Sequence, residues 1–379
     1  MIPCQRHLFE IPEDVAYLNC AYMSPLMKPA VDAGNMGLAR KQRPWEITPD
    51  KFFSGAEEFR ATAARLVGAT ADCIAIVPSA SYGVATAARN LPLKKGQSVL
   101  VLDEQFPSNY YPWKRLSEER GASLKIVPWQ EDGDWTSAVL SSLSAEVAIA
   151  ALPNVQWTSG GLLDLVRIGG ACRKMGAALA LDLTQSLGAL PFSVDQVQPD
   201  FAVAACYKWL MGPYTTGLMY VAPRWHSGVP LEENWIQRAN ARDFSSLIVY
   251  TDGYDAGARR FDMGERSNFA LVPAAKRAME QLMEWGILQI SKTVGELNRE
   301  LAAAAAEIGF ASLPERRRAP HYLALRRKEG IPPGLPELLA QQKVYVSVRG
   351  SSVRVTPHVY NSDQDIQRLI SCLAQVVRN

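Results

Sequence analysis

Between about residues 74 and 223, short apolar runs rich in β-branched residues alternate with stretches of helical pattern. This alternation is typical of βαβ units on a largely parallel sheet. Because most of these runs are apolar almost without interruption, we expect helices to cover both faces of the sheet. The sequence therefore predicts an α/β fold with seven strands: Ile74–Val77, Ser98–Leu102, Leu124–Val127, Val147–Leu152, Ala178–Asp182, Phe201–Cys206 and Gly217–Val221.

The last third of the chain has a different pattern. A helical pattern runs from about 273 to 308 and is broken near Gly286, and short strand-like runs follow it. These predicted strands are Tyr322–Arg326, Val344–Val348 and Val353–Val355. We therefore predict a large domain over residues 16–270 and a smaller α+β domain over residues 271–379, with segment 1–15 packed on the smaller one.

Composition restricts the classes of function. The chain has 379 residues and is 48% hydrophobic, which is enough to bury a large core without disulfides or metals. Its 40 basic and 38 acidic side chains offer no electrostatic basis for nucleic acid or an anionic membrane as a partner. The six cysteines form no CxxC pair, and the N-terminus has no apolar signal-peptide core. We expect a cytoplasmic protein that acts on a small molecule and binds no metal.

Two charges stand alone within apolar sequence. Asp182 is the only charged residue between positions 174 and 195, and Lys208 is the only one between positions 200 and 224. Both lie at the ends of predicted buried strands, so we expect them to converge at the sheet edge where α/β proteins bind ligands. One interpretation is a structural ion pair. The other is catalytic: a desolvated lysine forms an imine with an aldehyde cofactor, and the carboxylate stabilises a protonated pyridine nitrogen.

The sequence around these two charges resembles a known family. Residues 182–186, Asp-Leu-Thr-Gln-Ser, and residues 206–213, Cys-Tyr-Lys-Trp-Leu-Met-Gly-Pro, are similar to the class V aminotransferase family of pyridoxal-phosphate enzymes. That family includes cysteine desulfurases, selenocysteine lyases and kynureninase-like and epimerase-like members. The resemblance continues through residues 17–22, 79–83, 104–113 and 354–361. It implies the fold type I of pyridoxal-phosphate transferases, with a seven-stranded, mostly parallel sheet in the large, cofactor-binding domain.

The resemblance also implies pyridoxal 5'-phosphate as the cofactor and assigns residues to it. Lys208 would carry the cofactor as an imine, and Asp182 would hold the ring nitrogen. The other implied cofactor-binding residues are Ala80 and Ser81 at the phosphate, Phe106 on the ring, Gln185 at the phenolic oxygen, and Thr184 and Tyr207. The implied substrate-binding residues are Arg354 for the α-carboxylate, Asn19 and Trp157.

Residues 79–81 precede a predicted helix, whose N-terminus would favour a phosphate, although an ordinary N-cap serine is the alternative interpretation. Tyr207 and Phe106 replace histidines that many relatives have at these positions. Phenylalanine transfers no protons, so we expect Lys208 itself to act as the acid and base. Arg349, across a tight turn from Arg354, is either a second substrate contact or a solvated arginine, and its spacing leaves open which face of the hairpin it occupies.

The resemblance narrows the reaction without fixing it. Residues 344–353 contain no cysteine, which disfavours the persulfide chemistry of a desulfurase. We expect an enzyme that acts on a small α-amino acid through an external aldimine, foremost a class V aminotransferase. Alternatives are a C–S or C–Se β-lyase or an epimerase of the same family, and a pyridoxal-phosphate-binding regulator, although no basic helix-turn-helix segment is present. The resemblance also implies a homodimer, with residues 264–268 near the partner's phosphate.

Overall fold

The computed structural model describes residues 1–378. Its strands are β1 (Ala16–Tyr17), β2 (Ile74–Val77), β3 (Ser98–Leu102), β4 (Ser123–Val127), β5 (Val147–Pro153), β6 (Ala178–Asp182), β7 (Phe201–Ala205), β8 (Gly217–Val221), β9 (Leu323–Arg326), β10 (Val344–Tyr345), β11 (Ser347–Arg349) and β12 (Ser352–Val355). Its α-helices are α1 (Lys28–Ala39), α2 (Lys51–Val67), α3 (Ala80–Asn90), α4 (Tyr111–Arg120), α5 (Trp135–Ser142), α6 (Leu165–Met175), α7 (Val194–Val197), α8 (Leu271–Trp285), α9 (Ile287–Glu307), α10 (Leu335–Gln341) and α11 (Asp363–Arg378).

A seven-stranded sheet forms the centre of the molecule, in the order β2-β8-β7-β6-β5-β3-β4. Strand β8 is antiparallel to both of its neighbours, and all other pairs are parallel. Every residue of β3, β7 and β8 is buried, whereas the edge strand β4 is partly exposed. The seven predicted strands and the mostly parallel sheet are thus confirmed, because inner strands covered on both faces need apolar side chains throughout.

Helices cover both faces of this sheet. Phe59 of α2, Ile168 of α6 and Met279 of α8 belong to the apolar core on one face, and Val84 and Trp113 belong to the core on the other. Helix α3 approaches β7 very closely. A Cβ atom at its Gly83 would lie only 2.6 Å from the Val203 side chain, so glycine is required for this contact. The close packing brings the beginning of α3 to the carboxyl edge of the sheet.

The region after residue 270 begins with the predicted long helical stretch, which divides at Gly286 into α8 and α9 as expected. Strands β9, β12 and β11 then form an antiparallel sheet. The single strand predicted over Val344–Val348 is wrong. The chain changes sheets at Val346, because β10 pairs with β1 while β11 pairs with β12. A local sequence pattern shows that the backbone is extended but does not reveal its pairing partner.

The N-terminal segment contacts elements near the other end of the chain. The Gln5 amide donates to the Val359 carbonyl at 2.8 Å, and Arg6 forms an ion pair with Asp365 at 3.0 Å. Helix α8 packs mainly against α1 and α2. The boundary at residue 270 stays a prediction. No helix within residues 1–378 has the combination of length and apolar sequence that crossing a bilayer requires.

Candidate active site

A cavity of about 390 Å³ opens at the carboxyl edge of the central sheet. Its walls come from the ends of β2, β5, β6 and β7 and from the loop that follows β3. Nine of the predicted site residues line it: Ala80, Ser81, Phe106, Trp157, Asp182, Thr184, Gln185, Tyr207 and Lys208. Arg354 and Asn19 do not line the cavity, but both are buried, and Arg354 contacts the lining residue Trp157. The parallel topology therefore brings together residues that lie up to 128 positions apart in sequence.

Lys208 follows β7 and is 6% exposed. Its Nζ lies 5.4 Å from the ring centroids of both Phe106 and Tyr207. Burial lowers the pKa of Lys208 to about 8, and the positive charge of Arg354 acts in the same direction, while Asp182 opposes the shift. An amine with this pKa has a substantial neutral, nucleophilic fraction near neutral pH.

A glycine fixes the backbone next to this lysine. Gly188 has φ 100°, and a Cβ atom there would lie 2.2 Å from the Trp209 carbonyl oxygen. The loop after β6 therefore packs directly on the backbone that follows Lys208. This contact holds the backbone that carries Lys208 close to the end of β6.

Asp182 is the last residue of β6 and is 8% exposed. Its Oδ1 accepts a hydrogen bond from the Thr184 amide at 2.9 Å, and the Thr184 hydroxyl oxygen accepts one from the Ala205 amide at 3.2 Å. Among the described residues, neither Asp182 nor Lys208 takes part in a salt bridge. The geometry therefore does not support a structural ion pair, and both charged groups face the cavity instead.

Gln185 is held by groups that the sequence analysis did not single out. Its Oε1 accepts from the Trp209 indole at 3.0 Å, and its Nε2 donates to the Ala21 carbonyl at 3.2 Å. The Nε2 of His321 lies 2.7 Å from the Gln185 carbonyl oxygen, and burial lowers the pKa of His321 to about 4. The His321 ring is therefore neutral at physiological pH. These contacts fix the orientation of the amide at the cavity wall.

The N-terminus of α3 forms another part of the wall. Ser79 is the N-cap residue, and its hydroxyl oxygen accepts from the Tyr82 amide at 3.2 Å. The hydroxyls of Ser79 and Ser81 are 2.8 Å apart. The amides of the first helical turn and two hydroxyl groups thus meet at the cavity, together with the positive end of the helix dipole. Ser79 was predicted as part of the loop, whereas only Ala80 and Ser81 were assigned as ligands.

Two aromatic side chains build an apolar wall beside Lys208. The rings of Phe106 and Trp157 meet edge to face, with their centroids 5.3 Å apart. The Trp157 indole donates to the Glu104 carbonyl at 2.7 Å, and the Glu104 carboxylate accepts from the Thr158 hydroxyl at 3.0 Å. These bonds connect the loops after β3 and β5, so the wall is fixed from both sides.

Arg354 is 2% exposed and packs against Trp157 of this wall. Its Nη1 donates to the Trp157 carbonyl at 3.0 Å, and its guanidinium lies 5.7 Å from the Trp157 ring centroid. Burial lowers the pKa of Arg354, and its Nε has no hydrogen-bond partner among the described residues. Asn19 accepts at its Oδ1 from the hydroxyl of Ser347, the residue directly opposite Arg354 in the small sheet. The site thus contains a buried cation that has no counter-ion among the residues that the structure describes.

The Aminotransferase class-V family model matches residues 47–370. An uncharacterized aminotransferase of Bacillus subtilis (strain 168) is 25% identical, and the match covers 97% of this chain and 96% of that protein. A probable cysteine desulfurase of Methanothermobacter thermautotrophicus is 24% identical, with 84% and 83% covered.

Solved structures show the same fold. The apo cysteine desulfurase from Thermococcus onnurineus NA1 matches with a TM-score of 0.84 and 18% identity, covering 98% of this chain and 97% of that one. The cystine C–S lyase C-DES, in complex with its reaction product cysteine persulfide, also gives 0.84, at 16% identity and with 96% and 98% covered. The molecule has the pyridoxal-phosphate transferase fold type I. The chain belongs to the aminotransferase class-V family, so both the predicted fold and the predicted family are confirmed.

Proposed function

We propose that this protein is a pyridoxal 5'-phosphate-dependent enzyme that acts on small α-amino acids, with transamination as its reaction. The observation that carries the proposal is Lys208: a buried lysine with a pKa near 8 that forms no salt bridge and projects into a cavity at the carboxyl edge of the sheet. Membership in the aminotransferase class-V family supports the same activity.

The cavity fits each part of this cofactor. Lys208 offers an amine to the aldehyde, and Asp182 offers a carboxylate to a protonated ring nitrogen. The hydroxyls of Ser79 and Ser81 and the N-terminus of α3 offer donors to a phosphate. Phe106 supplies a flat surface for stacking on the ring.

When bound, the cofactor supplies an electron sink for the electron pair left at the substrate Cα. Asp182 holds a proton at the ring nitrogen, which keeps the ring electron-withdrawing. Trp209 orients the Gln185 amide, and the N–H of this amide that does not bond to Ala21 would donate to the phenolic oxygen. Lys208 in its neutral form would accept a proton from Cα and return one, because Phe106 and Tyr207, whose rings lie beside its amine, do not act as bases at neutral pH.

Arg354 is the residue best suited to bind the α-carboxylate of the substrate. Its guanidinium is desolvated and lacks an acidic partner, so a carboxylate would gain a charge-assisted, two-pronged hydrogen bond there. Binding would also remove an uncompensated buried charge, which is costly in the free protein. Trp157, which contacts both Arg354 and Phe106, would shield this ion pair from water.

A β-elimination at carbon–sulfur bonds is the second candidate. The fold matches that of a cystine C–S lyase, and elimination needs no protein nucleophile beyond the lysine. Persulfide transfer is disfavoured because no cysteine lines the cavity within the described residues. Cys20 is near the Lys208 backbone, with its Sγ 3.8 Å from the carbonyl oxygen, but burial raises the pKa of this thiol far above neutrality.

The test begins with borohydride reduction of the purified yellow protein and peptide mapping. A pyridoxyl group on Lys208 supports the proposal, and a label elsewhere or none contradicts it; Lys208→Arg serves as the unlabelled control. A separate sample of the unreduced yellow protein is incubated with an amino-acid panel, with and without a keto acid, and the products are identified by mass spectrometry. Products that require the keto acid indicate transamination. Release of pyruvate or sulfide without it indicates elimination.

We also propose that the enzyme is a homodimer. An apolar groove runs between Leu38, Phe52 and Trp235 and is bordered by Ser267 and Asn268 of the segment expected to face a partner. Leu38 is 63% exposed, and Trp45, the residue after the lining residue Pro44, is 78% exposed. Exposed apolar surface of this extent is typical of protein interfaces. Sedimentation that shows an active monomer at assay concentration would contradict the proposal.

A further inference from the structure

The small antiparallel sheet has two faces of opposite character. In its register, Ser352 lies opposite both Arg326 and Arg349, and Arg354 lies opposite Ser347. Directly opposed residues share a face, and so do residues two positions apart in one strand. Three arginines, 326, 349 and 354, therefore lie on one face. The other face carries apolar residues of a buried cluster: Leu323, Leu325, Val353 and Val355.

The three arginines differ in what they contact. Arg326 is satisfied within the sheet: its Nε donates to the Ser352 hydroxyl at 2.6 Å, and its guanidinium packs over the Trp129 ring at 4.8 Å. Arg349 has one side-chain hydrogen bond, from Nη1 to the neighbouring Val348 carbonyl at 2.8 Å. Within residues 1–378, neither Arg349 nor Arg354 forms a salt bridge with a carboxylate.

Arg349 is close to the candidate active site. It is the diagonal cross-strand neighbour of Arg354, a relation that places Cα atoms about 7–8 Å apart on the same face. Its positive charge lowers the pKa of Arg354, although burial is the larger cause, and it contributes in the same direction at Lys208. The substrate end of the site therefore has two guanidinium groups, and the α-carboxylate of an amino acid would neutralise only one of them.

We propose that Arg349 binds a second anionic group on the substrate, so that the preferred substrates are amino acids whose side chain ends in a carboxylate. The inference rests on the proposed function, in which Arg354 binds the α-carboxylate. An amino dicarboxylic acid carries its two carboxylates a few ångströms apart, which suits two guanidinium groups that project from one sheet face. Each planar guanidinium can donate two parallel hydrogen bonds to its carboxylate.

The first experiment measures binding rather than turnover. Succinate and butyrate have the same number of carbons but carry two carboxylates and one, and neither has an amine to react. Titrated into the holoenzyme by calorimetry, succinate should bind at least about 10-fold more tightly than butyrate, since one charge-assisted contact is gained. Arg349→Gln should remove this difference. Arg326→Gln removes an arginine from the same face and should leave the difference unchanged.

The second experiment compares glutamate with glutamine, which have nearly the same shape but differ in side-chain charge. In wild type, the ratio of kcat/KM should favour glutamate, and Arg349→Gln should lower that ratio by about 10-fold or more through KM. Equal affinity of wild type for succinate and butyrate, or a preference that survives Arg349→Gln, would overturn the inference. If glutamine and other neutral amino acids still react in that case, the proposed function stands. Absence of any reaction and of a label on Lys208 would overturn both.

Discussion

One group of buried charges lies against strand β2 and another lies at the ends of β6 and β7, and the two groups are stabilised in different ways. Arg60, Asp262 and Arg266 are fully buried, and Asp262 binds both arginines and the backbone amide of Ile76. Asp182 and Lys208, in contrast, form no salt bridge with each other or with another described residue. Burying either group costs desolvation energy, but only in the group around Asp262 do ion pairs within the protein offset that cost. Buried charges that remain unpaired and face a cavity are candidates for function, and paired ones are candidates for stability.

The largest effect is expected at the paired group. Asp262→Ala would leave Arg60 and Arg266 buried without their carboxylate and should lower the free energy of unfolding by about 3–5 kcal/mol. Chemical unfolding monitored by tryptophan fluorescence measures this loss. Asp72→Ala is the control, because Asp72 is exposed and its ion pair with Arg259 should contribute less than about 1 kcal/mol. Equal stability of the two variants would contradict the assignment of Asp262 to stability.

A substitution at the unpaired charge Asp182 should instead lower activity and leave stability largely unchanged. Asp182→Asn keeps the shape of the side chain but removes the charge proposed to hold a protonated ring nitrogen, so turnover should fall roughly 10²–10³-fold, the range for loss of one preorganised electrostatic contact. The variant should still fold and bind cofactor, as judged by its melting temperature and visible spectrum. Full activity together with a much lower melting temperature would instead assign Asp182 to a structural role.

A smaller effect is expected at Arg354. Arg354→Lys keeps the positive charge but loses the planar fork, so substrate affinity should weaken by roughly 1–3 kcal/mol, the range for hydrogen bonds to charged groups. The visible spectrum of the resting enzyme should not change, because Arg354 does not line the cofactor cavity. Steady-state kinetics on the best α-amino acid provide the measurement. Wild-type KM in this variant would show that another residue binds the carboxylate.

The smallest effect concerns pH. In the cofactor-free protein the pKa of Lys208 is about 8, below its ordinary value of 10.5. Between these values the unfolded chain binds more protons than the folded one, so stability should rise with pH, by about 1–2 kcal/mol between pH 8 and 10. Lys208→Met should lack this rise, whereas Asp72→Ala should keep it. Parallel stability curves for wild type and Lys208→Met would show that burial does not depress this pKa.

The central sheet was predictable because each inner strand is a local, almost continuous apolar run. The observed strands differ from the predicted ones only at their ends; for example, β4 begins one residue earlier, at Ser123, and β5 ends one residue later, at Pro153. Asp182 and Lys208 were also predictable, because an isolated charge in an apolar run is itself a local signal. Their convergence on one cavity follows from the parallel topology.

What could not be predicted depends on long-range contacts. Arg60 and Asp262 are 202 positions apart, and no local pattern pairs them. His321 reaches Gln185 from a distant segment, and nothing around it in sequence indicates that contact. The shared face of Arg349 and Arg354 depends on the register across the turn at Gly350, which the sequence left open. Register and pairing partner are properties of the assembled fold.

The two halves of the site lie on different sheets, and this separation has an evolutionary consequence. The groups proposed to hold the cofactor belong to the ends of β2, β6 and β7, whereas the groups proposed to hold acidic parts of the substrate belong to the hairpin of β11 and β12. Mutations within residues 347–354 can therefore change which acid is accepted while the cofactor chemistry stays intact. In a protein with this architecture, substrate specificity can evolve by single substitutions that each leave the enzyme active.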